Sequence, residues 1–69
     1  MKYKIIIEEG QNNFSAFSPD LPGCVSTGKT KDEVIQNMQE AIQFHIEGLL
    51  EDNIPVPKPS NIVLAEISI

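Results

Sequence analysis

Residues 30–53 read TKDEVIQNMQEAIQFHIEGLLEDN, and the rest of the chain is best placed around them. Thr30-Lys31-Asp32-Glu33 fits a capping box: the Thr30 hydroxyl accepts from the Glu33 amide, and the Glu33 carboxylate reaches back to the Thr30 amide. A helix therefore starts at Lys31. At about 100° per residue, Val34, Ile35, Met38, Ala41, Ile42, His45, Ile46 and Leu49 share one arc, while Glu33, Gln36, Glu40, Gln43, Glu47 and Glu51 lie opposite. The spacing predicts about five to six turns with one face laid on another layer. The helix stops near Asn53, because Pro55 and Pro57 cannot continue it and Asn tolerates a left-handed cap.

Upstream, Lys2 to Glu9 alternates with period two, with Tyr3, Ile5 and Ile7 on the better-buried side, and reads as a strand. Gly10-Gln11-Asn12-Asn13 is turn chemistry, with Gly and Asn tolerating positive φ, and Phe14 to Ser18 completes a hairpin. Pro19-Asp20-Leu21-Pro22-Gly23 must leave the ladder, since Pro has no amide donor, and Cys24 to Lys29 returns as a third strand. Asp20-Leu21-Pro22-Gly23 suits a tight turn with Gly accepting positive φ. Downstream, prolines at 55, 57 and 59 make Ile54 to Ser60 an extended strap crossing back over the domain. Ile62 to Ile69 alternates again, with Val63, Ala65, Ile67 and Ile69 on one face, and is expected to be a fourth strand. The predicted class is α+β, in the order β-β-β-α-β: an antiparallel sheet with one long helix on one face, a single domain over residues 1–69.

A chain of 69 residues, 41% hydrophobic and 22% charged, buries only about 60% of its unfolded surface, so self-association into a dimer or tetramer is expected. Five Lys, no Arg and ten acidic residues give a net charge of −5. That balance disfavours direct nucleic-acid binding, which rests on cations neutralising phosphates. The N-terminus lacks a signal-peptide core and no apolar run reaches membrane-spanning length, so a cytoplasmic protein is expected. The lone Cys24 can form no internal disulfide. No phosphate loop, dinucleotide fingerprint or metal-ligand spacing is present, and no cofactor is expected.

Residues 31–52 contain one Lys against Asp32, Glu33, Glu40, Glu47, Glu51 and Asp52, which is −5, while the four Lys and four acids elsewhere cancel. The whole excess sits on the helix. Glu33, Glu40 and Glu47 recur every seven residues as one stripe. It reads either as a solvated face or as a docking face for a basic partner, whose encounter rate complementary charge would raise. Phe44 projects among the glutamates, either as a ring folded over the sheet edge or as an exposed anchor. His45, within the apolar arc, reads as a partly buried imidazole, and Cys24 as a small core hydrophobe; a Cys24–His45 thiolate pair is the weaker reading. A hydrolase using Glu8, Asp20 or Glu66 with a divalent metal would need those carboxylates to converge, and the sequence gives no sign of it.

Phe17-Ser18-Pro19-Asp20-Leu21-Pro22-Gly23-Cys24, then Ser26, Gly28 and Thr30, then Asn37, Glu40-Ala41-Ile42 and Glu47-Gly48-Leu49, and finally Ile54-Pro55-Val56-Pro57 with Pro59 closely resemble the HicB-like antitoxin family in order and spacing. The resemblance implies the same strand–helix order, described as a partly degenerate ribonuclease-H-like fold. It also implies a non-enzymatic antitoxin of a type II toxin–antitoxin system, which binds a small basic ribonuclease toxin (HicA-like) and covers its active site. The expected partner-binding residues are Glu33, Glu40, Phe44 and Glu47 on the helix, with Asp20 and Leu21 on the proline turn. Many family members add a DNA-binding domain; none is visible in these 69 residues, so autonomous operator binding is not expected. The alternative function is a homo-oligomeric structural or interaction protein without a toxin partner, its strand edges pairing between subunits.

Overall fold

The computed structural model describes residues 2–68. Three short strands, β1 (Ile6–Glu9), β2 (Phe14–Phe17) and β3 (Val25–Gly28), precede one long helix, α1 (Lys31–Glu51). The strands form an antiparallel sheet in the order β1-β2-β3, with Ile7 opposite Ala16 and Ala16 opposite Ser26. The α+β class and the meander-then-helix order agree with the sequence reading.

β1 is shorter than the alternating pattern predicts, starting at Ile6 and not at Lys2. Its partner explains this. Beyond Phe17, the Ser18 amide donates to the Cys24 carbonyl (3.3 Å) and the Ser18 carbonyl accepts from Leu21 (3.2 Å). The chain there is committed to a turn and offers β1 no ladder. A second turn follows, closed by the Cys24 amide on the Leu21 carbonyl (3.1 Å), with Pro22 and Gly23 between and Gly23 at φ 81°. The tight turn is therefore Leu21–Cys24, one residue later than predicted. The 10–13 connection, closed by the Gly10 amide on the Asn13 carbonyl at 2.7 Å, needs no positive φ.

Ala16, Leu21, Cys24, Val34 and Met38 form the buried core, with Tyr3, Ile5, Ile7, Phe14, Ala41 and Ile42 packed around it. The helix contributes Val34 and Met38 from the predicted arc and rests mainly on β3, then β2. Gly28 allows this approach: a Cβ there would lie 2.6 Å from the Val34 amide nitrogen. Asn37 donates to the Thr27 carbonyl at 2.9 Å, tying helix to strand.

Thr30 caps α1 as expected, accepting the Glu33 amide at 3.0 Å, but the Glu33 carboxylate takes the Lys29 amide (3.2 Å) in place of that of Thr30. At the other end Asn53 has φ 56°, with the Ile54 amide on Leu49 (2.9 Å) and the Asn53 amide on Leu50 (3.2 Å), a Schellman stop. The strap then crosses back as predicted. The Tyr3 hydroxyl donates to Pro57, the Lys4 ammonium to Ile62, and the Ser60 amide and hydroxyl both donate to Asp20 (3.1 and 2.6 Å).

The expected fourth strand does not form within the described residues. Residues 62–68 have no ladder, and Val63, Leu64 and Ile67 are 87%, 73% and 86% exposed. The alternating pattern is present, but a strand also needs an edge to pair with, and this segment lies along none. Ile69 lies outside the described residues.

Candidate functional site

The outer side of α1 carries Glu33, Gln36, Glu40, Gln43, Glu47 and Glu51, all exposed. Their placement follows from the helix period: burying Val34 and Met38 turns these positions to solvent. Glu33 is partly engaged by the Lys29 amide, whereas Glu40, Glu47 and Glu51 have no ion-pair partner among the described residues. The last turn contains no base. Glu51 and the capping Asp52 therefore sit against the negative end of the helix dipole, where a cation is favoured. The charge on this face is thus not balanced by ion pairs among the described residues.

Phe44 rises from this face 78% exposed, so its ring is not folded over the sheet edge. It borders a groove of about 400 Å³ with Val25, Ala41, Gly48 and Leu49. Val25, 65% exposed at the start of β3 and passed over by sequence reasoning, borders the groove, but its side chain lies with that of Phe17 on the sheet face away from α1. The available signal was strand alternation: with Cys24 buried, Val25 must point to the opposite side. The helix thus presents one exposed ring, Phe44, beside an acidic band.

The two predicted residues of the proline turn are placed differently. Leu21 is fully buried and serves the core. Asp20 holds the strap; the Ser60 hydroxyl, then the Ser60 amide, and to a smaller extent the Lys4 charge keep its carboxyl below the ordinary range, against a small opposing effect of burial. Neither joins the helix face.

Cys24 and His45 border the same groove as Phe44. Burial pushes the Cys24 thiol up, which favours the protonated, unreactive form over a nucleophilic thiolate. Among the described residues no three His, Cys, Asp or Glu side chains are placed together to hold a metal, and Glu8, Asp20 and Glu66 do not converge. Among the described residues no helix is long and apolar enough to cross a membrane.

A family model described as the HicB-like antitoxin of bacterial toxin–antitoxin systems matches residues 3–67. An uncharacterised protein of Haemophilus phage HP1 is 47% identical over 62 residues, covering 90% of this chain and 47% of its own length. A UPF0150 protein of Helicobacter pylori is 38% identical over 69 residues, covering 100% of this chain and 96% of its own. Antitoxin HicB 2 of Photorhabdus laumondii is 27% identical over 60 residues, covering 87% of this chain and 43% of its own. This chain thus spans about half the length of the phage and Photorhabdus relatives. In structure it is similar to a chain of a HicA3–HicB3 toxin–antitoxin complex, with TM-score 0.74 and 33% identity over 86% of this chain and 70% of the other. On the match over residues 3–67 and on the likeness of sequence and fold, the chain belongs to the HicB-like antitoxin family of bacterial toxin–antitoxin systems.

Proposed function

We propose that this chain is the antitoxin of a type II toxin–antitoxin system, acting in the cytoplasm by binding a small basic HicA-like ribonuclease and covering its active site. The observation that carries this reading is the acidic face of α1. Residues 31–52 hold the entire net charge of −5, displayed around the exposed ring of Phe44. A cationic RNA-binding protein is the partner such a face selects, because opposite potentials speed encounter while the apolar centre slows dissociation. The structural likeness to a chain from a HicA3–HicB3 complex supports the same partner class. Glu33, Glu40, Phe44 and Glu47 make the contact; Leu21 and Asp20 act indirectly, by shaping the loop and holding the strap. No chemical step by the chain itself is required.

The test combines the purified chain with a HicA-like toxin encoded beside it. Complex formation at low ionic strength and loss of messenger-RNA cleavage are expected, with an association rate that falls as salt is added. Glu40→Lys combined with Glu47→Lys slows association by about tenfold or more. Phe44→Ala acts mainly on dissociation. Absence of binding at low salt overturns the proposal, as does a complex indifferent to all three substitutions.

A further inference from the structure

Both outer strands of the sheet lack a second neighbour among the described residues, but only β1 also lies away from the helix. β1 is an edge strand, paired with β2 on one flank and with no ladder on the other among the described residues. The helix rests over β3 and β2, leaving the inner face of β1 partly uncovered. Between that face and the flank of α1 runs a groove of about 290 Å³ bordered by Tyr3, Ile5, Ile35, Met38, Gln39 and Ile42. Five of these six side chains are apolar or aromatic, and Ile35 is 40% exposed. An open edge beside an apolar groove is what an added strand fills: backbone groups complete the ladder and every second side chain enters the groove.

The same chain carries a strand without a sheet. Residues 62–68 alternate, with Val63, Ala65 and Ile67 forming an uninterrupted apolar row and Ile62, Leu64, Glu66 and Ser68 the other. Seven residues of extended chain span about 23 Å, enough to run past β1, whose four residues span about 13 Å. Its root is fixed close to the start of β1, where Lys4 donates to Ile62 and Asp20 holds Ser60. Beyond that root it has no ladder, and Val63 and Ile67 are more than four-fifths exposed.

We infer that residues 62–68 pair with the free edge of β1 in a second copy of this chain, with Val63, Ala65 and Ile67 entering the groove beside Ile35 and Ile42. The exchange is reciprocal: each copy gives a tail and receives one, so a two-fold dimer covers the β1 edge of both copies. It also buries large apolar side chains that a domain with so small a core leaves in water. This surface differs from the acidic face, so it stands whether or not the toxin partner is the right one.

The experiment measures the molar mass of the complete chain in solution, without toxin, by light scattering and sedimentation across a concentration series. A dimer is expected. Ile35→Glu on the receiving groove, and Val63→Asp with Ile67→Asp on the tail, each convert it to a monomer that keeps its helical circular-dichroism signal. A second measurement covers the event that a variant fails to fold. Chains carrying Ile35→Cys are mixed with chains carrying Ile67→Cys, both in a Cys24→Ala background, and oxidised; a disulfide between the two copies is expected. A strict monomer at high concentration overturns the inference. So does a dimer untouched by these folded variants, or a cross-link that forms only within a doubly substituted chain, which would place the tail on its own β1.

Discussion

Gly28 ends β3 directly beneath the first turn of α1, and the absence of a side chain there is what allows the two to touch. An added Cβ would meet the Val34 nitrogen at 2.6 Å and the Val34 Cα at 2.9 Å, both backbone atoms of a capped helix that cannot step aside singly. Gly28→Ala should therefore lower stability by about 2 kcal/mol through forced displacement of the helix, read as an earlier urea midpoint; an unchanged midpoint would show that the helix start is loosely seated. Asp20 makes a different prediction. Its folded pKa lies below its ordinary value because Ser60 donates to the ionised form. The contact is thus fully favourable above the unfolded carboxylate value and is lost as pH falls through the depressed folded value. The Ser60 amide resonance should report the strap loosening in the acid range below about pH 4, and Asp20→Asn should remove that titration. A Ser60 signal equally pH-dependent in both chains would assign it to another carboxylate.

At the scale of elements, what could be read in the sequence was whatever depends on neighbours along the chain. Thr30 and Asn53 mark the two ends of α1 by local chemistry, and the arc through Val34 and Met38 sets its buried face. Details requiring a spatial partner were less visible. The Glu33 carboxylate found Lys29 one residue before the expected amide, since both lie within its reach and side-chain spacing alone does not choose. β1 lost its first four predicted residues because β2 turns away at Ser18. The fourth strand shows the limit most plainly: Val63, Ala65 and Ile67 alternate as a strand should, but alternation specifies a face and says nothing about which edge receives it. The site divides in the same way. Phe44 and the glutamates follow from helical period, whereas Leu21, hydrophobic in a proline-rich turn, looked like a projecting contact and proved to be the plug of the core.

For the whole molecule, the decisive proportion is that between helix and sheet. Twenty-one helical residues extend about 31 Å, while four-residue strands cover about 13 Å. The sheet can therefore support only part of the helix. Its fully buried helical contacts are Val34 and Met38, both in the N-terminal half; toward the other end Ile46 and Leu49 are only half-buried and Leu50 is 62% exposed. Local opening is cheapest where few apolar contacts must break. Amides around Met38 should accordingly exchange most slowly, and those of residues 46–51 at least about tenfold faster, a difference of about 1.4 kcal/mol in opening free energy. Phe44, Glu47 and Glu51 lie on that C-terminal half, so a bound cationic partner that grips the exposed ring should slow exchange there more than around Met38, where little is left to protect, and flatten the gradient. Amide exchange followed by NMR, free and in complex, measures both parts. Uniform protection along the free helix would mean that the overhanging half is held by something other than the sheet, and a gradient unchanged in the complex would move the partner off this face.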